Sequence, residues 1–280
     1  MKLEVAQDSS PKLAHEYSVY RAISGLPGIP RVYWYGREGP YHVLVLDRLG
    51  STFEAIVRTS TLNTSAVFTY ATQMVSLFLP YNLCFCLFLS KLLILESLHN
   101  RHYVHLDVKP DNFMLGVGEL SNQVFLIDFG LAQLFRNPAT RSHIRKSDGS
   151  RIIGTIRYSS INRHLELTPS RRDDLESLMY VIVYLVKGSL PWQGIVIQPC
   201  QVHQDEVLRV KQATTVKALC KGIPQPFVEF VEHVQSLGLL DKPDYKRLRS
   251  ILEKCAPPQT LPNSQTDASL MRRSQVIIRT

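Results

Sequence analysis

The chain has 280 residues, 45% of them hydrophobic, enough for one large core or two small ones. Helical and strand-like stretches alternate along it, so neither a membrane bundle nor a wholly disordered chain fits. Its net charge of +8 and pI near 9.3 suggest an acidic partner. The charge is not spread as a stripe suited to nucleic acid. Nine Lys/Arg fall between Arg136 and Arg172 against only Asp148 and Glu166, and that stretch could grip an acidic peptide. The five cysteines (Cys84, Cys86, Cys200, Cys220, Cys255) are odd in number and show no C-x-x-C pair. That argues against a zinc site or disulfide framework and for a reducing compartment, cytoplasmic or nuclear. The start, Met-Lys-Leu-Glu, has no signal-peptide pattern.

In chain order, Ser9-Ser10-Pro11 predicts a helix start, a Ser cap followed by Pro at the first helical position. The helix runs through Glu16 and Tyr20 to about Ser24, where Gly25-Leu26-Pro27-Gly28-Ile29-Pro30 stops it. Arg31 to Tyr35 and Tyr41 to Leu46 read as strands around a Gly36 to Pro40 turn. Ser51-Thr52-Phe53-Glu54 has capping-box spacing and predicts a helix. From Thr64 to His99 the pattern is helical and increasingly apolar. Short strands follow near Phe113-Met114 and Val124–Ile127, then a long basic loop, then helices over Arg172–Val186 and Phe227–Leu239. The tail after Pro257 is polar and expected to be disordered. This order describes a small mixed lobe joined to a larger helical one.

The stretch that carries chemistry is His105-Leu106-Asp107-Val108-Lys109-Pro110-Asp111-Asn112, followed about 16 residues later by Asp128-Phe129-Gly130. An isolated Asp-Phe-Gly occurs often by chance, and a lone histidine is usually a packed core residue. In this order and spacing, however, the two resemble the catalytic loop and metal-binding motif of protein kinases. Phosphoryl transfer is catalysed mostly by positioning and charge neutralisation. The resemblance implies that Asp107 accepts the substrate hydroxyl proton and that Asn112 and Asp128 hold Mg2+ from two sides. It implies that Lys109 neutralises the transferring phosphoryl group, and a Lys there resembles Ser/Thr kinases rather than Tyr kinases.

Farther on, Gly154-Thr155-Ile156-Arg157-Tyr158-Ser159-Ser160-Ile161-Asn162 resembles the casein kinase I signature, with Ser-Ile-Asn where most kinases have Ala-Pro-Glu. Ser170–Ser177, Ser189–Gly194 and Asp241–Tyr245 are similar to that family too. The resemblance implies an α+β, two-lobed protein-kinase fold over residues 1–255, with a truncated N-terminal β lobe and hinge (1–49) and a mainly helical C-terminal lobe (50–255). Residues 256–280 form the tail. It implies Mg·ATP-dependent phosphorylation of Ser/Thr in acidic or phosphorylated protein substrates, by a monomer with no nucleic acid and no membrane. Lys2 would pair with the ATP α/β-phosphates and Glu16 with Lys2. Leu46 stands at the gatekeeper, and Asp47, Arg48 and Leu49 at the hinge whose backbone binds adenine. Asp174 would brace the catalytic-loop backbone, His105 would support it, and Arg157 matches one family contact for a phosphorylated substrate.

Three departures from the family pattern set further expectations. The chain starts at the ATP-pairing Lys, so the two strands and Gly-rich loop that precede it in the family are expected to be missing, or an incomplete gene model leaves them out. About 17 extra residues, near Leu77 to Ile94, interrupt the helix leading to the catalytic loop, and Pro80 is expected to break or kink it. The insert reads as a membrane span interrupted by Pro80, Asn82, Ser90 and Lys91, as a hydrophobic partner surface, or as translated non-coding sequence. The last is preferred, since Val75-Ser76 is what a common splice donor would encode and the flanks rejoin the family pattern. Finally, Leu106 replaces the Arg usual beside the catalytic Asp, and Ile195 to Gln204 lacks the family's basic run. Weakened activity follows from the first of these, and reduced recognition of phosphorylated substrates from the second. The rival to an active enzyme is a pseudokinase scaffold that binds partners without transfer.

Overall fold

The computed structural model describes residues 1–6, 12–62, 81–144, 154–195 and 200–255. The small lobe is an antiparallel sheet of β1 (Lys2–Val5), β3 (Tyr41–Leu46) and β2 (Val32–Glu38), in that spatial order, with helix α1 (Lys12–Ala22) against it. Lys2 pairs with Leu44, which pairs on its other side with Tyr35, so the sheet is in register across all three strands. The α1 residues Leu13, Val19 and Tyr20 are buried against the sheet side. The expected Ser-Pro cap lies outside the described residues. Instead, the Glu4 carboxylate on β1 accepts from the Lys12 and Leu13 amides at 3.1 and 2.8 Å, satisfying donors that a helix start leaves free.

Strand β2 runs three residues farther than its sequence predicts. Gly36 looked like part of the turn, yet it stands in the strand because the Trp34 ring lies over it, and a β-carbon there would come within 2.5 Å of that ring. The turn is only Gly39-Pro40, with Gly39 at φ +56°, the value that a tight two-residue hairpin requires at its first central position.

The large lobe comprises α2 (Phe53–Leu62), α3 (Tyr81–Asn100), β4 (Tyr103–Val104), β5 (Phe113–Leu115), β6 (Val124–Leu126), β7 (Gln133–Leu134), α4 (Ile161–His164), α5 (Arg171–Lys187), α6 (Cys200–Ala213), α7 (Val216–Leu219), α8 (Pro226–Ser236) and α9 (Tyr245–Cys255). At its centre is α5, where every residue from Leu175 to Tyr184 is buried. A helix covered all round belongs at the middle of a core. Asp173 reaches back to the Ser170 amide at 2.7 Å to close its first turn, and Gly188 ends it at φ +76°. Helices α6 and α9 are absent from the elements the sequence predicts, as is the β4–β7 pair. The capping box at Ser51 shifts by one: Thr52 Oγ1 accepts from the Ala55 amide at 3.0 Å, which frees Glu54 to meet Arg58 at 2.8 Å.

Within the expected insert, Leu77–Pro80 lies outside the described residues, as do the tail after Cys255 and residues 145–153 of the basic loop. From Tyr81 the chain is one helix that continues into Leu95–His99. Phe88, Leu92 and Ile94 are buried, and Ile94 fills the space that a side chain at Gly28 would need. Lys91 is buried beside them with its ammonium 3.5 Å from the Phe53 ring centroid, a cation–π contact in a desolvated place. These side chains are core. Among the described residues no helix is long and apolar enough to cross a membrane.

Candidate active site

The loop between β4 and β5 carries His105–Asn112, and its shape is imposed from α5. The Asp174 carboxylate, wholly buried, accepts from the His105 amide at 2.7 Å, the Leu106 amide at 2.8 Å and His99 Nε2 at 2.9 Å. Since His99 Nε2 donates there, its Nδ1 accepts from the Tyr245 hydroxyl. Leu106 takes φ +65°, a left-handed value unusual for a residue with a branched side chain, and the bond to Asp174 holds it there. His105 donates from Nε2 to the Ile127 carbonyl at 3.0 Å and accepts the Asp107 amide at 3.2 Å, joining the loop to the strand before Asp128.

Asp107 is held by four donors. Its Oδ1 accepts from the Thr155 amide (3.0 Å) and hydroxyl (2.9 Å), and its Oδ2 from Lys109 Nζ (2.6 Å) and Asn112 Nδ2 (3.2 Å). Lys109 also reaches Thr155 Oγ1 at 3.1 Å. Burial pushes the Asp107 carboxyl up, but Lys109 and then Thr155 more than offset it, and its pKa lies below the ordinary carboxylate range. The carboxylate is therefore charged and aimed near neutral pH. The approach of Thr155 depends on Gly154, at φ +124°, where a β-carbon would stand 2.9 Å from the Leu106 carbonyl oxygen. Gly154→Ala is expected to separate the two segments, costing about 1–3 kcal/mol of stability and at least about tenfold in turnover. Urea midpoints and steady-state rates on the same preparation check it.

Asn112 and Asp128 come together through the β5–β6 hairpin. Phe113 pairs with Leu126, and the Ile127 amide donates to the Asn112 carbonyl at 2.9 Å, which puts both side chains at one end of the pair. Asp128 takes φ +68° with its side chain 44% exposed, while Phe129 behind it is fully buried between the rings of Tyr20 (4.9 Å, edge-on) and His105 (5.0 Å, edge-on). The Asp128 amide donates to Tyr20 Oη at 3.3 Å, and the Phe129 amide to Glu16 at 3.2 Å, so α1 and this turn are tied together. Glu16 also receives Lys2 Nζ at 2.6 Å, and the same ammonium stands 3.2 Å from Asp128 Oδ1. Burial raises the Glu16 pKa, and Lys2 offsets only part of that. Lys2, Glu4, Lys12, Glu16, Asp128 and Gly130 line an open cleft of about 440 Å³.

These residues fit a magnesium nucleotide. Asn112 spends its amide N–H groups on the Asp107 carbonyl and carboxylate, so its amide oxygen is the atom that would hold a cation, with the Asp128 carboxylate at the same end of the hairpin. Two hard oxygens suit Mg2+, which is commonly held by one or two side chains plus substrate phosphates. Among the described residues no group of three or more His, Cys, Asp or Glu could hold a metal alone. The site would thus depend on phosphate oxygens to complete the coordination.

The other expected site residues lie apart from this centre. Leu46 ends β3, and Asp47 and Leu49 follow in the connector that joins the lobes, where the Gly50 amide bonds the Leu115 carbonyl at 2.8 Å. The Asp47 amide donates to the Arg31 carbonyl, and its carboxylate accepts from the Arg31 amide and the Tyr33 hydroxyl, both at 2.7 Å. Its side chain is thus occupied within the small lobe, and only its carbonyl remains for a ligand. Arg157 sits two residues beyond Thr155, its carbonyl accepting from Trp192 Nε1 at 2.7 Å. Thr155, Tyr20, His99 and Tyr245 carry no role in the sequence reading. Thr155 and Tyr245 had a local signal, their places in the Gly154–Asn162 and Asp241–Tyr245 motifs. A family model for the protein kinase domain matches residues 1–253, nearly the whole of both lobes and every residue of the cluster just described, so the chain belongs to the protein kinase domain family.

Proposed function

We propose that this protein kinase domain transfers the γ-phosphoryl group of ATP to Ser or Thr of acidic protein substrates, in the manner of the casein kinase I family. The observation that carries the reading is the link between Asp107, Lys109 and Thr155, in which a carboxylate, an ammonium and the Gly154–Asn162 segment lie within hydrogen-bond distance of one another. Bound at Asn112 and Asp128, magnesium supplies charge neutralisation on the phosphates. Lys2, oriented by Glu16, meets the α/β-phosphates, and the connector backbone at Leu46, Asp47 and Leu49 meets adenine. Asp107 takes the hydroxyl proton of the substrate, and Lys109 balances charge on the phosphoryl group as it moves. The Lys at position 109 is what favours Ser/Thr over Tyr, and Arg157 is offered to an acidic or phosphorylated neighbour of the target residue.

Acidic substrates are further supported by a cationic patch on the flank of the segment after Asp128. The half-buried Arg136 and the exposed Arg141 present it, with the Arg136 guanidinium carbon 5.4 Å from the Phe135 ring centroid, while Arg171 lies buried beneath, donating to the Leu240 and Asp241 carbonyls. Arg136 Nε donates to His102 at 2.8 Å. Burial and the neighbouring guanidiniums hold His102 and His143 below the ordinary histidine value. An anionic chain would offset the like charge of Arg136 and Arg141.

The test compares phosphate incorporation into an acidic and a basic Ser-containing protein by the chain and by Asp128→Asn. Transfer favouring the acidic protein, lost by about 10²-fold or more in the variant, is expected. Equal background from the chain and from Asp128→Asn would leave only the scaffold reading.

A further inference from the structure

Lys211 on α6 is 3% exposed, yet all of its donor capacity is used on one short segment and its neighbour. Its ammonium donates to the Ile156 carbonyl at 2.9 Å and the Ser159 carbonyl at 2.5 Å, and meets His164 Nε2 at 3.1 Å. The rings of Tyr180 and Trp192 lie 5.0 and 5.1 Å from it. Trp192 donates to the carbonyl between those two, that of Arg157. From the other side, Glu176 accepts from the Ile161 amide at 2.9 Å and from the Tyr180 hydroxyl at 2.7 Å. Three carbonyls within four residues are thus gripped from beneath by two side chains.

We propose that Lys211 is the positioning residue of the Thr155–Ser159 segment, setting where Thr155 and Arg157 stand against Asp107 and Lys109 and so governing how the protein substrate is received. This rests on the transfer site assigned above. An ammonium withdrawn from water costs several kcal/mol, and a well-packed apolar side chain would stabilise such a place as well or better. What an apolar residue cannot do is bind carbonyl oxygens, and the carbonyls chosen bracket Arg157. The segment's other end is fixed on Asp107 through Thr155. Lys211 and Asp107 therefore hold the two ends of one five-residue stretch, and release of either end frees the peptide-facing surface while leaving the Lys2–Glu16–Asp128 cleft in place.

The test uses the full chain with Trp34→Phe, which leaves Trp192 as the sole tryptophan, labelled as 5-fluorotryptophan. Lys211→Met removes the donors, and Lys211→Arg keeps a cation that can donate. In Lys211→Met the KM for an acidic Ser peptide is expected to rise at least about tenfold while the KM for ATP stays within about twofold. The Trp192 fluorine resonance is expected to shift or broaden, and Lys211→Arg to recover part of both. Peptide affinity by fluorescence anisotropy reads the same effect without turnover, so absence of transfer by the parent chain would count against the transfer reading and still leave this proposal decided. An unchanged peptide KM, or peptide and ATP constants rising together, would overturn it, as would an unshifted Trp192 resonance. Should Lys211→Met fail to fold, Trp192→Phe in the unlabelled full chain removes the donor to Arg157 together with part of the ring packed beside Lys211 and Tyr180. It is expected to give the same split between peptide and ATP, and an unaltered split there would also overturn the proposal.

Discussion

Replacing Asp107 with Asn is expected to lower phosphoryl transfer by about 10³- to 10⁴-fold, at the upper end of what a general base contributes, with nucleotide affinity retained. Loss of the base accounts for part of this, and the donor set around the carboxylate for the rest. Oδ1 accepts two hydrogen bonds from Thr155, and Oδ2 accepts from Lys109 and Asn112. An Asn amide has one acceptor oxygen, and whichever way it turns its NH2 faces donors. The variant therefore also pushes away Lys109 or Thr155, where a neutral isostere in a permissive site would only remove a proton acceptor. Single-turnover rates at saturating ATP, alongside displacement of a fluorescent nucleotide, separate the two effects. A loss below about tenfold would remove Asp107 from the role of base.

The same carboxylate has a pH signature. Its pKa in the folded chain lies below the ordinary value, because Lys109 and Thr155 outweigh its burial. The group is ionised throughout the range above the unfolded carboxylate value, so its stabilising contacts are fully present there and are lost as pH falls through the depressed folded value. The acid limb of the rate that belongs to Asp107 is expected below that of an exposed carboxylate. Lys109→Ala removes the largest opposing influence and is expected to move the limb upward.

Both partners of this centre were legible in the sequence because their chemistry is local: His105 to Asn112 spans eight positions, and Asp128-Phe129-Gly130 stands at a fixed distance beyond. The strand pair β2–β3 and the core helix α5 were legible from apolar patterning and punctuation. What escaped depends on distant partners. His99 and Tyr245 meet across 146 positions, and no pattern near either residue announces the contact. Lys211 reads as an ordinary helical lysine until α6 is seen lying under the Ile156 carbonyl. Helix α9 did carry a usable signal, since Leu248, Ile251, Leu252 and Cys255 fall at helical spacing and all four are buried. Gly36 misled because glycine marks a turn unless an aromatic ring covers it, and that covering is a fact of the folded sheet.

Asp174→Ala is expected to cost about 3–5 kcal/mol of stability, the range for removing one member of a buried charged network, and to lower the thermal midpoint by roughly 6–20 °C in a domain of this size. Burial alone would push this carboxyl up, but the bonds from His99 and His105 hold it below the ordinary range, so its charge is stabilised in place. Truncation leaves the His105 and Leu106 amides and the His99 imidazole without their acceptor in a site closed to water. Leu106 then has nothing to offset its left-handed backbone and relaxes, and Asp107 is the next residue along. Turnover is therefore expected to fall further than the unfolded fraction explains, even at temperatures where the variant remains folded. His99→Phe removes one of the three bonds and spares both loop amides, so it should cost about 1–2 kcal/mol with much of the activity kept. Urea midpoints and rates for the two variants decide the point. If they lose stability equally and activity equally, the loop takes its shape from somewhere other than this carboxylate, and the core helix does not set Asp107 through Asp174.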